Sequence, residues 1–205
     1  MVRLTIDGTP VSVPEGTTIL NAAREAGITI PTLCELKGLN EIGACRVCVV
    51  KVEGEDRFPA SCTTPVAEGM EVRTNTPEVI TARRSNVKMI LSEHRSECTS
   101  CLRADTCALQ QISRDLGAWN LPFPSNQTKA GDWDHDFPLR RDSSKCIKCM
   151  RCVSICEKNQ HCAVWDFTGT GPHMKVTVRE GLPIADAGWS LCGQCITHCP
   201  TGALT

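Results

Sequence analysis

The strongest structural signal in the chain is residues 146–156, which read CIKCMRCVSIC. The cysteines follow the spacing Cys-x2-Cys-x2-Cys-x3-Cys, the bacterial ferredoxin run for [4Fe–4S] clusters. A second, incomplete run ends in a Cys-Pro pair and contains Cys192, Cys195 and Cys199. Because the fourth cysteine of each run ligates the other cluster in two-cluster ferredoxins, we predict a ferredoxin-like module over residues 143–205.

The same rule divides these cysteines between two clusters. One predicted [4Fe–4S] set is Cys146, Cys149, Cys152 and Cys199. The other set contains Cys156, Cys192 and Cys195, and its fourth ligand is missing from the expected place.

Trp189 stands at the position of that missing ligand, and an indole cannot ligate iron. Cys162 is the one cysteine outside the four ligand-spaced groups, so we predict that it is the substitute ligand. Three alternatives remain: a [3Fe–4S] cluster with no fourth ligand, an oxygen ligand such as Asp186, and a free Cys162 packed as a small hydrophobe.

Residues 1–75 show the order of elements of a β-grasp ferredoxin. Apolar residues alternate over positions 2–6 as in a half-buried strand, and Asp7-Gly8 is a hairpin signal. Thr18 can cap a following helix, and Gly27 suits the position just past its end. A further strand is predicted at the valines beyond the first cysteines, namely Val47, Val49, Val50 and Val52.

The first cysteine group lies in this β-grasp region and comprises Cys34, Cys45, Cys48 and Cys62. A tight Cys-x2-Cys pair with a distant fourth cysteine is typical of plant-type [2Fe–2S] sites, although the first gap here is longer. Zinc is the alternative, but zinc sites of four cysteines generally use two tight pairs. A single such pair on a β-grasp pattern favours a [2Fe–2S] cluster.

The second group is His94, Cys98, Cys101 and Cys107, in a predicted helical region over residues 76–120. We predict one helix from a Thr76 N-cap to His94, and another from an Asp105 N-cap to Gly117. One imidazole and three thiolates suit either a Cys3His zinc site or a [4Fe–4S] cluster. The spacing alone leaves both open.

The composition limits the remaining possibilities. The chain has 15 cysteines in 205 residues, 4% aromatic residues and no tyrosine, so bound clusters should supply part of the folding energy. A net charge of −1 gives no indication of nucleic acid or an anionic membrane. No segment approaches a membrane span and we find no signal peptide, so we expect a cytoplasmic protein in a reducing compartment. Residues 121–142, rich in proline and without periodicity, are predicted to be a linker.

The order of the four groups resembles the N-terminal iron–sulfur region of [FeFe]-hydrogenases. It is similar also to the start of the 75-kDa subunit of NADH:quinone oxidoreductase and to the small diaphorase subunit of NAD-linked hydrogenases. The resemblance covers essentially the whole chain. Its most specific element is the group of His94, which in that family holds a [4Fe–4S] cluster, and this implies iron rather than zinc at the second site. Trp189 departs from the family, which usually has cysteine there.

This resemblance implies an α+β protein with one [2Fe–2S] cluster and three [4Fe–4S] clusters, the last of which is [3Fe–4S] in the alternative without a fourth ligand. It implies an electron-transfer subunit of a hetero-oligomeric NAD(P)H-linked oxidoreductase. One partner would be a flavin- and NAD(P)H-binding subunit. The other would be a catalytic subunit of the hydrogenase, formate dehydrogenase or transhydrogenase type, and a flavin-bifurcating complex is one natural setting.

We expect no catalytic site in the chain itself. No Gly-rich dinucleotide fingerprint is present, since Gly169-Thr170-Gly171 alone is too weak a match. No hydrogenase catalytic motif follows Cys199. Two other hypotheses remain: a cysteine-rich zinc scaffold for assembly, and the N-terminal fragment of a longer [FeFe]-hydrogenase.

Overall fold

The computed structural model describes residues 1–120 and 139–205. Most of the predicted linker, including Pro122, Pro124 and Pro138, therefore lies outside the described residues. The described parts contain three clusters of buried apolar side chains, centred on a β-sheet, on a pair of helices and on a cysteine-rich C-terminal region. The predicted α+β class is confirmed.

The first cluster lies under a four-stranded mixed sheet with strand order β2-β1-β4-β3. Strands β1 and β2 form an antiparallel hairpin, β1 and β4 are parallel, and β3 and β4 are antiparallel. The bounds are β1 Val2–Ile6, β2 Thr9–Val13, β3 Lys51–Val52 and β4 Met70–Arg73. Asp7 and Gly8 form the hairpin turn with φ of 51° and 82°, as the sequence predicts.

Helix α1, Ile19–Glu25, packs its apolar side chains against this sheet. Its predicted cap is confirmed, because Thr18 Oγ1 accepts a hydrogen bond from the backbone N–H of Asn21. Gly27 follows the helix with φ of 73°, the left-handed conformation that suits glycine just past a helix end. This sheet-and-helix unit carries the loop of the first cysteine group.

Two helices form the middle of the molecule: α2, Pro77–Glu93, and α3, Ala108–Asp115. Thr76 caps α2 through a bond from Val79 N–H, and His94 is its C-terminal cap, both as predicted. Between the helices, Cys98–Ser100 forms a 3-10 turn.

The C-terminal region contains two short helices and a hairpin. Helix α4, Arg151–Ser154, continues directly into a π-helical turn, Ile155–Asn159. Strands β5, Trp165–Thr168, and β6, Lys175–Val178, pair antiparallel, and α5 is Gln194–His198. The glycines of Gly169-Thr170-Gly171 lie in the connection between β5 and β6, so they serve a turn.

Two sequence predictions of local structure are wrong in detail. The valine strand is reduced to Lys51–Val52, because Val47 packs with the helices while Val50 packs under the sheet. The chain crosses between two cores there and cannot stay in one sheet.

Helix α3 begins after Cys107 and is not capped by Asp105. Residues 101–106 form successive turns, and the N–H of Ala108 donates to the distant carbonyl of Pro200. Cys107 therefore occupies the N-cap position of α3 rather than its first turn.

Candidate iron–sulfur sites

The first cysteine group is gathered by a loop packed against the sheet and by the turn after Ala60. Cys34, Cys48 and Cys62 are almost fully buried and Cys45 is half-buried. The thiols form two contacting pairs, Cys34 with Cys45 and Cys48 with Cys62. A [2Fe–2S] cluster has two thiolate ligands on each of its two irons. These four cysteines therefore fit a [2Fe–2S] cluster.

These contacts shift the acidity of the thiols in opposite directions. The hydrogen bond with Cys34 lowers the pKa of Cys45 to about 6, and that with Cys62 lowers the pKa of Cys48 to about 6. The partner thiols Cys34 and Cys62 have raised pKa values for the same reason. Each pair thus gives up one proton readily and supplies one thiolate, which is the form that ligates metal.

A close backbone approach shapes the loop of this group. Gly43 has φ of 63°, and a Cβ at this position would lie 3.3 Å from Thr63 Cγ2. The backbone N–H of Cys45 donates to Cys34 Sγ at 3.5 Å. A larger residue at Gly43 would push the loop away from the segment that carries Cys62.

Arg83 of α2 places a positive charge beside this site. Its side chain is 4% exposed, and Nε and Nη2 donate to the carbonyl of Val49, next to Cys48, at 3.1 and 2.8 Å. Burial lowers the pKa of Arg83, while the negative charges of Cys48 and Asp7 raise it. Because a guanidinium stays protonated in proteins, Arg83 adds positive potential where four thiolates would gather.

The second group has its three cysteines near one another. The charges of Cys101 and Cys98 both raise the pKa of Cys107, after burial as the largest cause. Cys98 and Cys107 line one cavity at the start of α3. Cys101 lies beside the C-terminal segment, where a Cβ added to Gly202 would be 2.7 Å from its sulfur.

His94 is 8% exposed, and its ring orientation is fixed by the C-terminal region. Nδ1–H donates to the carbonyl of Lys145 at 3.1 Å, which leaves Nε2 as the nitrogen available to a metal. Lys145 and Cys101 both lie beside Gly202, so the C-terminal region contacts both His94 and Cys101. Three thiols and one oriented imidazole fit the expected Cys3His set.

The third set surrounds a cavity with an almost wholly apolar wall. All four predicted members line it: Cys146, Cys149, Cys152 and Cys199. Burial raises the pKa of Cys149 to about 12 and that of Cys152 well above its ordinary value. Four sulfurs in a water-poor cavity are the donor set and environment of a [4Fe–4S] cluster. The structure thus places Cys199, which belongs to the second run, beside three cysteines of the first run.

The fourth set lies on the other side of Trp165. The charges of Cys162 and Cys192 raise the pKa of Cys156, after burial as the largest cause, and those of Cys156 and Cys192 act in the same way on Cys195. Cys162 is therefore close to the set with the missing ligand. Cys192 is exposed, while Cys156 and Cys195 are buried.

The loop after Cys156 folds back on that residue. The carbonyl of Cys156 accepts from the N–H groups of Cys162 and Ala163, and Cys156 Sγ accepts from Val164 N–H at 3.4 Å. His161 and Ala163 both have positive φ, 54° and 47°, which is costly for residues other than glycine. Cys162 is held between these two residues, half-buried against the C-terminal core.

Trp165 separates the third and fourth sets and touches both. Its ring lines the cavity of the third set. Its indole also acts on the thiol of Cys195 and lowers the pKa of that thiol, against the larger raising effect of burial.

The two ferredoxin runs share the same backbone conformation at matching positions. Lys148 and Met150, which flank Cys149, both have positive φ, and so do Leu191 and Gly193, which flank Cys192. A short helix follows each pair, α4 and α5. In this alignment Trp189 corresponds to Cys146, and Trp189 packs partly buried against the C-terminal core.

Direct contacts join the second site to the third. Arg103 Nη2 donates to the carbonyl of Cys199 at 3.0 Å, and Arg95 N–H donates to the carbonyl of Ser144 at 2.9 Å. Together with the bond from His94 to Lys145, these contacts fix the two ligand sets against each other.

Sequence reasoning missed several residues of these sites. Arg83, Trp165 and Gly202 act through partners far away in the chain, and no local pattern marks them. Of the three, Trp165 alone has a weak sequence signal: it is one of only four tryptophans in the chain, and it lies three residues after Cys162.

Residues 1–120 and 139–205 lack two features: a compact site for a single metal ion and a membrane-spanning helix. No three His, Cys, Asp or Glu side chains lie as close together as the ligands of a single metal ion. None of the described helices has both the length and the apolar character needed to cross a bilayer.

Three family models match successive parts of the chain. Residues 1–77 match a 2Fe-2S iron-sulfur cluster binding domain. Residues 83–120 match the NADH-ubiquinone oxidoreductase-G iron-sulfur binding region. Residues 139–205 match the ferredoxin-like domain of NADH-quinone oxidoreductase subunit 3. The chain therefore contains [2Fe–2S]- and [4Fe–4S]-binding domains.

Some relatives are much longer than this chain. The NADP-reducing hydrogenase subunit HndD of Solidesulfovibrio fructosivorans is 40% identical over 209 residues, which cover 100% of this chain and 36% of that protein. The NADPH-Fe(3+) oxidoreductase subunit alpha of Geobacter sulfurreducens is 36% identical over 205 residues, which cover 100% of this chain and 24% of that protein. The chain thus spans about a third or a quarter of the length of these relatives.

Other relatives match over most of their own length. The NAD-reducing hydrogenase HoxS subunit gamma of Cupriavidus necator is 30% identical over 214 residues, which cover 99% of this chain and 86% of that subunit. A chain from the crystal structure of an NAD+-reducing [NiFe]-hydrogenase in the H2-reduced state has a TM-score of 0.89 and 26% identity, covering 100% of this chain and 86% of that one. The resemblance drawn from the cysteine motifs is confirmed: the chain belongs to the iron–sulfur protein family that includes the gamma subunit of NAD-reducing hydrogenase and the iron–sulfur part of NADH-quinone oxidoreductases.

Proposed function

We propose that the chain is an electron-transfer subunit of an NAD(P)H-linked oxidoreductase complex, with four iron–sulfur clusters and no catalytic site of its own. The observation that carries this proposal is the direct bonding between neighbouring ligand sets, above all from His94 to Lys145 and from Arg103 to Cys199. Iron–sulfur clusters accept and donate single electrons, with potentials set by ligand type, hydrogen bonds and exposure.

The proposed ligands are those that the sequence predicts. The [2Fe–2S] cluster is held by Cys34, Cys45, Cys48 and Cys62. The three [4Fe–4S] clusters are held by His94 with Cys98, Cys101 and Cys107, by Cys146, Cys149, Cys152 and Cys199, and by Cys156, Cys162, Cys192 and Cys195. The folded-back loop and the nearness of Cys162 to Cys156 support the last assignment, whereas Asp186 is exposed in a separate turn.

The proposed partners are a flavin- and NAD(P)H-binding subunit and a catalytic oxidoreductase subunit, in a cytoplasmic hetero-oligomer. The relatives support this, since the HoxS gamma protein is a subunit of an NAD-reducing hydrogenase and HndD is a subunit of an NADP-reducing hydrogenase. Cys192 is the exposed ligand cysteine, and Leu191 beside it is 64% exposed, so the fourth site offers one place for electrons to enter or leave.

The test is anaerobic purification followed by metal analysis, EPR spectroscopy and identification of co-purifying proteins. A brown protein with about 14 iron atoms is expected from one [2Fe–2S] and three [4Fe–4S] clusters. Reduction by NADH or NADPH should require the co-purified flavoprotein. A colourless protein holding about four zinc ions would overturn the proposal in favour of a zinc scaffold.

A further inference from the structure

Asn40 connects the first cysteine group to the third. Its side chain is fully buried, and Nδ2 donates to the carbonyl of Cys34 at 2.6 Å and to the carbonyl of Cys149 at 3.0 Å. Its Oδ1 accepts from Ser154 Oγ at 2.7 Å. Cys34 and Cys149 are more than one hundred residues apart and belong to different ligand sets.

The backbone of Asn40 is fixed as firmly as its side chain. Its N–H donates to the carbonyl of Leu36 at 2.8 Å, and its own carbonyl accepts from Leu36 N–H at 3.0 Å. These two bonds hold the backbone that carries the carboxamide beside the two cysteines.

Asparagine is the side chain that this position requires chemically. A carboxamide supplies two N–H donors on one nitrogen and an acceptor oxygen. Asp has no donor when ionised, and Ser has a single one, so neither can bond two carbonyls and Ser154 at once. Leaving such buried groups unbonded is unfavourable, because they would lose water without gaining a partner.

We infer that Asn40 is a positioning residue that holds the Cys34 and Cys149 ligands at a fixed separation and so sets the electronic coupling between the first and third clusters. This inference rests on the proposed cluster sites. The step it concerns moves one electron between the two sites: one is oxidised, the other is reduced, and no proton is needed.

The contact gives that electron a short bonded route. From the sulfur of Cys34 the route follows its own side chain and carbonyl, crosses one nitrogen atom through two hydrogen bonds, and returns through the carbonyl of Cys149 to its sulfur. Electronic coupling falls steeply with distance and more steeply through space than through bonds. Loosening the Asn40 amide should therefore weaken the coupling without changing either ligand.

Nearby contacts hold the same interface without touching a ligand residue of either site. Lys158 Nζ donates to the carbonyl of Leu39 at 2.7 Å, and Arg151 Nη2 donates to the carbonyl of Glu35 at 2.9 Å. Lys158→Ala is thus a matched control, because it removes a bond next to Asn40 and leaves both cysteine carbonyls bonded.

The experiment compares the full-length chain with Asn40→Ala, Ser154→Ala and Lys158→Ala, all purified anaerobically. Iron content and EPR-monitored redox titrations establish that both clusters are present with unchanged potentials. The readouts are the spin–spin splitting of the [2Fe–2S] EPR signal in the fully reduced protein and the rate of electron equilibration between the two centres after rapid reduction. Neither readout would respond to a role confined to stability.

We expect the splitting to narrow and the equilibration to slow most in Asn40→Ala and less in Ser154→Ala. Both readouts should match those of the parent chain in Lys158→Ala. Full splitting in Asn40→Ala would overturn the inference, as would an equal loss in Lys158→Ala. If Asn40→Ala does not fold, full splitting in Ser154→Ala overturns it. If the parent chain lacks iron at either site, the proposed function fails instead, so the two failures are distinguishable.

Discussion

The ring of His94 illustrates how one hydrogen bond selects a ligand atom. Its Nδ1–H donates to the carbonyl of Lys145, which fixes the tautomer with a bare Nε2. The same carbonyl accepts a bond from Thr201 Oγ1 at 2.8 Å, so the acceptor is itself held in place. As a ligand, a neutral imidazole in place of a thiolate would leave the proposed second cluster with one negative charge fewer.

Replacing that imidazole by a thiolate should lower the midpoint potential of the second cluster. The shift in His94→Cys should be on the order of 100 mV or more, by analogy with histidine- and cysteine-ligated [2Fe–2S] centres. EPR-monitored redox titration measures it. His173→Gln, on an exposed turn, serves as the control and should leave every potential unchanged. An unmoved midpoint in His94→Cys would rule out His94 as a ligand.

In the proposed ligand sets, Cys162 completes the fourth cluster. Cys162→Ser should convert that cluster to the [3Fe–4S] form, with iron falling from about 14 to about 13 atoms per chain. Metal analysis and the EPR signal of an oxidised [3Fe–4S] cluster detect the change. The double variant Cys162→Ser with Trp189→Cys should regain the lost iron, because it restores a cysteine at the position equivalent to Cys146. Unchanged iron and spectra in the single variant would mean that Cys162 is a buried free thiol.

At the level of single elements, helix α2 serves two sites at once. Arg83 lies in its first half and reaches the backbone beside Cys48, while His94 terminates it at the second site. Its 17 residues span about 25 Å at 1.5 Å per residue. Fraying of α2 would therefore disturb two ligand sets together.

The N-cap of α2 offers a direct test of its stability. Thr76→Ala should lower the free energy of unfolding by about 1 kcal/mol, because the bond from Val79 N–H to Thr76 Oγ1 is lost. Anaerobic chemical denaturation measures the loss. The control is Thr81→Ala, an exposed threonine inside α2 whose hydroxyl bonds to the carbonyl of Pro77. Equal destabilisation of the two variants would count against the cap.

Gly202 marks the closest contact between the C-terminal segment and the helical region. Gly202→Ala should destabilise the protein by about 1–3 kcal/mol through overpacking and disturb the EPR signal of the second cluster, because the new methyl group meets Cys101 Sγ. Gly54→Ala is the control: φ of 85° makes it costly by about 1–2 kcal/mol, but its surroundings are open. An undisturbed signal in Gly202→Ala would contradict the contact.

Elements defined by neighbouring residues could be predicted from the sequence. The Asp7-Gly8 turn, the Thr18 and Thr76 caps and the end of α2 at His94 all depend on signals a few residues apart. The predicted start of α3, at an Asp105 cap, is wrong. The backbone N–H of Ala108, at the start of the observed helix, donates to the carbonyl of Pro200, a partner that no local pattern reveals.

Long-range contacts could not be predicted from the sequence, because no local pattern marks them. Strand β4 pairs in parallel with β1, and Asn40 bonds to Cys149, in each case across a large stretch of chain. The ligand sets were accessible because a coordination rule, rather than local periodicity, connects the distant cysteines.

For the molecule as a whole, the three buried cores differ in what they are made of. The core under the sheet is built mainly from Ile, Leu, Val and Ala, with two proposed ligands, Cys48 and Cys62. The C-terminal core has three, Cys156, Cys195 and Cys199, and three more cysteines pack against it: Cys146, Cys152 and Cys162. The proposed clusters would therefore form a larger share of the C-terminal core than of the core under the sheet.

Removing iron should unfold the molecule unevenly. With a chelator under reducing conditions, amide hydrogen exchange should rise first and most over residues 139–205, while β1 and β2 keep their protection. Hydrogen-exchange mass spectrometry on the chain before and after treatment follows both regions. Reconstitution with iron and sulfide should restore the protection. Uniform exchange across the chain would contradict this order of stability.

The matched positive-φ residues before α4 and α5 bear on the relative reduction potentials of the two proposed clusters in the C-terminal region. The two segments follow the same backbone course around proposed ligands of two different clusters. Two clusters with identical ligands and surroundings would have equal reduction potentials. Electron transfer between them would then have no driving force. Trp189 stands where the first run has Cys146, and the proposed substitute, Cys162, comes from a different loop. A difference in potential between the two proposed clusters would thus follow from a change of ligand position on a shared backbone course.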